Sequence, residues 1–386
     1  DATLDEVAEA KEATASAVHA VRPVKDVFDL IVANRLGEVG LPLELDVEKL
    51  PRVEAGLAND IADRLQVVHF PIAFPEVFLR ERGGFDVILG NPPWEKVKVE
   101  EHEFWGRHLP GLRGMDQRDK VAAMAKLRSE RPDLVAELER EQQQAHELAA
   151  IVKAGPNDLG SGDTELARVF AWRFWDLIGQ DGRVGVVLPR AASLSAPGMA
   201  AWRNTIIDGG GFADVCILTN TGGWVFAGVH PQYSVVFLTV RRQTPRLWAV
   251  HLDGPYGSHA RYLEGRSEGA RGIPVDEFRS WSSDASFPLL PSKQSVDIYQ
   301  KLAKHPRLGA HPRLKFRPVQ GDVNAAADKQ RFFNDEVAGA WPVYSGSSFN
   351  LWTPDTGERY AWTDSETIRT YLLEKRRSQA NVKTSA

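Results

Sequence analysis

A short apolar run, Phe85-Asp86-Val87-Ile88-Leu89-Gly90, breaks off in Asn91-Pro92-Pro93-Trp94. Proline fixes its own φ and donates no backbone hydrogen bond, so two in succession stop a strand and stiffen the turn behind it. The four residues bring together a side-chain amide, a peptide carbonyl with no competing N–H beside it, and a flat indole. The Asn91 carboxamide oxygen and the Pro92 carbonyl can each accept a hydrogen bond, and Trp94 offers a face to a planar ring. That set suits a planar group bearing an NH₂, with one acceptor for each of its two hydrogens. Accepting both keeps electron density on the nitrogen and turns it toward tetrahedral geometry. A ring-conjugated amine, otherwise a poor nucleophile, is activated that way.

Such a turn does its work only at the right end of a sheet. In an open parallel sheet, ligands bind beyond the carboxyl ends of the strands. The run before Asn91 is nearly all apolar, the mark of a strand buried on both faces. "RVGVVLP", "ADVCILTN" and "YSVVFLTVRR" read as three further strands. Between them, "TELARVFAWRFWDLIGQDG" places Leu166, Val169, Phe170, Phe174 and Leu177 at helical spacing and closes on Gly182, and "PGMAAWRNTIIDGG" gives another helix. Alternating strands and helices predict an α/β layered sheet of about four strands. Only "TGGWVFAGVHPQ" joins the last two, too short for a parallel crossover, so they are expected as an antiparallel hairpin at the sheet edge.

The flanking regions differ. Residues 1–82 read as a helical region leading into the sheet. Residues 83–245 hold the strands, with a charged, helix-favouring insertion at about 116–153 that Pro132 divides into a hairpin. After Arg242, Pro, Gly, Ser and Arg become frequent, and residues 246–386 read as a mixed region of one helix and short strands. Residues 1–90 carry 9 Lys/Arg against 17 Asp/Glu, whereas residues 241–318 carry 14 against 7. The basic stretch suits an anionic partner such as nucleic acid, or a plain solvated surface.

Composition narrows the classes. With 43% hydrophobic and 26% charged residues the chain is an ordinary globular protein, and its 386 residues suggest two or three domains. No apolar run approaches the roughly 20 residues of a membrane span, and "DATLDEVAEA" lacks the layout of a signal peptide. Cys216 is the single cysteine, which excludes intrachain disulfides and suits a reducing cytoplasm. The ten histidines lack zinc-ligand spacing, and no metal site is expected.

The Asn91–Trp94 turn resembles the catalytic motif of S-adenosylmethionine-dependent amino-methyltransferases, above all those acting on adenine N6 in DNA, whose signature is Asn/Asp/Ser-Pro-Pro-aromatic. "HFPIAFPEVF…GGFDVILGNPPWEKVK" resembles the approach to that motif in the large type IIG and IIL restriction–modification and phage-defence enzymes. "GDTELARVFAWRFWDLIGQDGRVGVVLPRAAS" and "VFAGVHPQYSVVFLTV" resemble the helix, strand and hairpin that follow there. The likeness covers about residues 65–245. It is weaker through "FRPVQGDVN" and "WPVYSGSSFNLW", which resemble the linker and opening of a target-recognition region.

The resemblance implies a partial Rossmann-like methyltransferase sheet and direct methyl transfer from S-adenosylmethionine to an adenine flipped out of double-stranded DNA. Asn91 and Pro92 would hold the amino group, Pro93 would stiffen the turn and Trp94 would stack on the base. Phe226 and His230 are the candidates for a second aromatic, with His230 standing where relatives carry Phe. Asp163 and Glu165 would edge the cofactor pocket, or simply cap the following helix. No covalent enzyme intermediate is needed, and Cys216 reads as core. Trp172, Phe174 and Trp175 read as core; Phe104 and Trp105 are candidates to edge the pocket.

One part of the family pattern is absent. Residues 1–85 contain no Gly-x-Gly turn after an apolar strand; "NRLGEVGLPLELD" has glycines but no buried strand before it. The chain is therefore expected to be a fragment, a split subunit or a remnant, with the cofactor motif on an upstream portion or a partner chain. The strand ending at Asn91 is then expected to show a bare edge. Two other readings share these residues: a protein-glutamine methyltransferase, and a non-catalytic DNA-binding or assembly subunit.

Overall fold

The computed structural model describes residues 3–38, 54–160, 164–290, 292–306, 323–325, 327–350 and 352–383. It divides into two compact units, Asp1–Lys304 and His305–Ala386. The sheet of the first unit has six strands: β1 (Phe85–Gly90), β2 (Ile178–Pro189), β3 (Gly210–Thr219), β4 (Ser234–Arg242), β5 (Ala249–Tyr256) and β6 (Arg271–Pro274), in the order β1-β2-β4-β3-β5-β6. β1 and β2 are parallel, as are β3 and β5, whereas β4 runs antiparallel to both β2 and β3 and β6 antiparallel to β5. The fold is mixed α/β.

Three expectations change. The β3–β4 pair is antiparallel, but β4 fills the gap between β2 and β3 instead of forming an edge. The crossover from β2 to β3 leaves that gap open, and a short return loop places β4 in it. The sheet also runs past residue 245, through β5 and β6, so that the first compact unit ends at Lys304. Finally, among the described residues the Val87–Leu89 part of β1 is covered on one face only: Val87 is 57% and Leu89 79% exposed, whereas Phe85 on the same face packs against Phe70, Phe74 and Phe78. Among the described residues no strand pairs along the far edge of β1.

The core lies against the other face. Ile88, Val184, Val186, Leu188, Val215, Ile217, Val236, Leu238 and Val240 meet Ala167, Ala171, Trp172 and Trp175 of the helix Leu166–Leu177 and Trp202, Ile206 and Ile207 of the helix Ala200–Gly209. Trp172 and Trp175 are core residues, and the Trp202 indole N–H donates to the Ala171 carbonyl at 3.1 Å. Cys216 is buried on β3, and burial pushes its thiol up to about 12. The start of β1 needs glycine: Gly84 has φ +99°, and a Cβ there would come within 2.5 Å of the Gly179 backbone.

Residues 117–153 form two helices, Gln117–Glu130 and Pro132–Lys153, broken at Arg131-Pro132. Their satellite core takes in Phe104 and Trp105, which are fully buried there and so do not edge a pocket at Asn91. The N-terminal part is helical, with Leu4–Leu36 and Glu54–Arg64. The second unit holds a three-stranded antiparallel sheet in the order β7 (Phe332–Phe333), β9 (Ala361–Thr363), β8 (Trp341–Val343), followed by the helix Ser365–Lys383. "FRPVQGDVN" falls largely outside the described residues.

Candidate active site

The Asn91–Trp94 turn sits at the carboxyl end of β1, beside the parallel strand β2. Asn91 and Pro93 are exposed, Pro92 is buried and Trp94 is half-buried. The buried proline roots the turn, while the carboxamide stays open to solvent. The chain leaving the turn is pinned at once: Leu166 N–H donates to the Glu95 carbonyl at 2.9 Å and Val97 N–H to the Thr164 carbonyl at 2.7 Å, with Lys96 bridged antiparallel to Glu165. Two backbone hydrogen bonds thus fasten the start of the helix Leu166–Leu177 to the exit of the turn.

That clamp brings Glu165 next to the motif. Glu165 occupies the N-cap position of the helix, yet its side chain makes no capping hydrogen bond. Its carboxylate lies 3.3 Å from the Arg168 guanidinium instead. Asp163 lies outside the described residues.

Across the site, the loop between β3 and β4 delivers an aromatic ring. Phe226 stands perpendicular to Trp94, with ring centroids 5.6 Å apart and an interplanar angle of 87°. The Trp94 indole N–H is buried and has no hydrogen-bond partner among the described residues. His230 is exposed and folded into its own turn: its Nδ1 accepts from the Gln232 N–H at 3.3 Å, and its carbonyl accepts from the Tyr233 N–H at 3.0 Å. Of the two aromatic candidates in that loop, Phe226 is the one in ring contact with Trp94.

Two residues that frame the site escaped the sequence reading. Asn220, at the end of β3, is fully buried and hydrogen-bonded throughout the Phe226 loop. Arg203 is fully buried in the helix Ala200–Gly209 and donates at 3.0 Å to the carbonyls of Ser193, Ala196 and Asp284, fixing the irregular turn that follows β2. Burial lowers its guanidinium to about 10. Asn220 stands between Thr219 and Thr221, and Arg203 before Asn204 and Thr205, so neither carries a sequence signal that separates it from its polar neighbours.

A cavity of about 920 Å³ opens on the other side of the exit segment, between Lys96–Val99 and helices Leu4–Leu36, Pro132–Lys153 and Leu166–Leu177. Asn91, Pro92, Pro93 and Trp94 are not among its walls. Among the described residues no cluster of His, Cys, Asp and Glu is arranged to hold a metal, and no helix is long and apolar enough to cross a membrane.

No protein-family model matches the chain, and no curated protein matches it in sequence. Among solved structures it is similar to a protein assigned as a modification subunit of a type I restriction enzyme from Vibrio vulnificus YJ016, with 16% identity, a TM-score of 0.30, and 56% of this chain and 40% of that one covered. It is also similar to the ATP-dependent type ISP restriction–modification enzyme LlaBIII bound to DNA, with 14% identity, a TM-score of 0.26, and 58% and 14% covered. The chain spans well under half the length of either. Overlaps this partial do not assign it an activity.

Proposed function

We propose that this chain carries the base-holding part of a DNA adenine-N6 methyltransferase of a restriction–modification or phage-defence system. The observation that carries the reading is the Asn91-Pro92-Pro93-Trp94 turn at the carboxyl end of β1, with the Asn91 amide open to solvent and Trp94 half-buried beside it. In this reading an adenine leaves the duplex and stacks on Trp94. Its N6 hydrogens are accepted by Asn91 Oδ1 and the Pro92 carbonyl, which keeps the nitrogen lone pair available for attack. Extrusion costs a few kcal/mol, and stacking on an indole offsets about 1–3 kcal/mol of that.

S-adenosylmethionine, when bound, supplies the methyl group. The described residues do not fit that cofactor on their own. No Gly-x-Gly turn stands in the sequence before β1, and of the two carboxylates expected at the cofactor edge Asp163 lies outside the described residues and Glu165 is paired with Arg168 at 3.3 Å. The share of the reaction assigned to this chain is therefore the grip on the base. The cofactor motif is proposed on strands, from an upstream portion or a partner chain, that pair along the open edge of β1, where Val87 and Leu89 are exposed.

The test is methyl transfer to unmodified genomic DNA, whose mixture of sequences contains an unidentified recognition site. It uses the assembled enzyme with and without Asn91→Ala. Loss of the amine acceptor is expected to lower the rate by about 10²-fold or more, with DNA binding in a filter assay changed less than about twofold. An assembled enzyme that methylates normally with Asn91→Ala ends this reading and leaves a non-catalytic DNA-binding role.

A further inference from the structure

We infer that Asn220 is the positioning residue of this site: its side chain holds Phe226 against Trp94 and thereby fixes the plane on which a base stacks. This rests on the base-holding role proposed above. The loop from Asn220 to Tyr233 has no strand or α-helix of its own, and it contains Gly222, Gly223 and Gly228. Nothing in its regular structure decides where Phe226 goes. Asn220 does so with its complete hydrogen-bonding capacity. Its Oδ1 accepts from the N–H groups of Val225 at 3.1 Å and Phe226 at 3.0 Å. Its Nδ2 donates to the carbonyls of Phe226 at 3.0 Å and Val229 at 2.8 Å. A primary amide offers two donors on nitrogen and two acceptor sites on oxygen, and all four are used.

The clamp itself is anchored. Asn220 N–H donates to the Tyr233 carbonyl at 3.0 Å, closing the base of the hairpin, and the Trp224 indole donates to the Thr219 carbonyl at 2.8 Å. The side chain is excluded from water, so each of the four bonds would be missed if removed. No other residue type replaces it without loss: aspartate keeps the two acceptors but sets a carboxylate against two carbonyls, and leucine strips the Val225 and Phe226 N–H groups and the Val229 carbonyl of their partner and leaves the Phe226 carbonyl only its bond from the Val229 N–H.

The consequence for the site is geometric. Two rings at 87° and 5.6 Å leave no slot between them for a flat base. Phe226 therefore buttresses Trp94, and the base stacks on a Trp94 face that Phe226 does not occupy. Asn220 acts on the substrate only through Phe226, and that makes the inference separable from a general stabilising role.

The experiment compares the full chain with its Asn220→Ala, Asn220→Asp, Phe226→Ala, Trp94→Ala and Asn220→Ala/Phe226→Ala variants by amide hydrogen exchange and by quenching of 2-aminopurine in a single-stranded oligonucleotide. The single strand removes the cost of extrusion. In Asn220→Ala, exchange at Val225 and Phe226 is expected to speed up by about tenfold or more, and quenching is expected to fall as far as in Phe226→Ala. The double variant should fall no further, because the two residues form one path. Asn220→Asp keeps both acceptors but turns a carboxylate on the Phe226 and Val229 carbonyls, so exchange at Val225 and Phe226 should be faster than in the parent chain, and this variant serves if the alanine variant does not fold. Unchanged exchange at those amides in Asn220→Ala or in a folded Asn220→Asp, or additive losses in the double variant, overturn the inference. Quenching that survives Trp94→Ala sinks the base-holding reading itself, while the exchange result still reports on the clamp.

Discussion

The two ends of one sheet face differ sharply. Leu89 on β1 and Cys216 on β3 point to the same side, as the register through Gly185, Thr239 and Asp214 requires. Over β3 and β5 that side is roofed by the helix His259–Glu268: Tyr262 meets Phe237 and Tyr256, and Arg266 pairs with Asp214 at 2.9 Å and Asp253 at 3.0 Å. Cys216 is 2% exposed there, while Leu89 at the β1 end is 79% exposed. Both strands are written in the same apolar alphabet. A strand's composition states what burial it can use; its neighbours decide whether it gets it. The end that lacks cover among the described residues carries the Asn91 turn, the part to which the chemistry is proposed.

The contrast can be broken at its covered end with the largest effect. Leu238 of β4 is fully buried between β2 and β3. Leu238→Ala is expected to cost about 3 kcal/mol in chemical denaturation, against less than about 0.5 kcal/mol for Leu89→Ala. Equal costs would mean that β1 is as well packed as β4. Next comes the roof. Arg266→Ala leaves Asp253, 5% exposed and already bound by the Tyr256 hydroxyl, without its cation. Because Arg266 is itself partly exposed, the loss is expected near 2 kcal/mol rather than the full value for a buried pair. Smaller again for the chain alone is Leu89→Lys, expected to leave its denaturation midpoint unchanged. The same change is expected to weaken joining to the strand-bearing portion proposed above in a co-purification assay, since a charge on that face must be desolvated. Full recovery of the complex with Leu89→Lys removes β1 as the docking edge.

Much of this was legible because local signals agree. The apolar runs of β1 to β4, the periodic helix Leu166–Leu177 and the break at Pro132 each state their element outright. β5 and β6 were missed because Gly254, Pro255, Gly272 and Pro274 interrupt their patterns, so that tertiary pairing alone makes them strands. The inner place of β4 depends on the order of non-local pairing, on which a hairpin-length loop is silent. At the site, Asn91 to Trp94 stood out because two prolines and an indole make an improbable end to a strand. Asn220 and Arg203 did not, because a single Asn in "LTNTGG" or Arg in "AAWRNTII" is indistinguishable from an ordinary turn or a solvated helix residue until burial is known. Sequence spacing placed Phe226 and His230 in one loop; only the Asn220 hydrogen bonds distinguish the ring held against Trp94 from the one folded into its own turn.

The smallest effect at neutral pH belongs to Cys216, and its sign follows from its place under the roof. Burial raises the folded thiol to about 12, above the roughly 8.5 of an unfolded cysteine. Between those values the unfolded chain releases a proton that the folded chain keeps, so stability is intact below about pH 8.5 and falls as pH rises toward 12. The slope contributed approaches about 1.4 kcal/mol per pH unit within that window and vanishes below it. Cys216→Ala is therefore expected to flatten the alkaline limb of a stability-against-pH curve. Iodoacetamide at pH 8 is expected to leave the folded thiol unmodified and to label it on unfolding. Rapid labelling of the native chain at pH 8 would show the β3 end of the face to be as open as the β1 end, and the contrast between them would be lost.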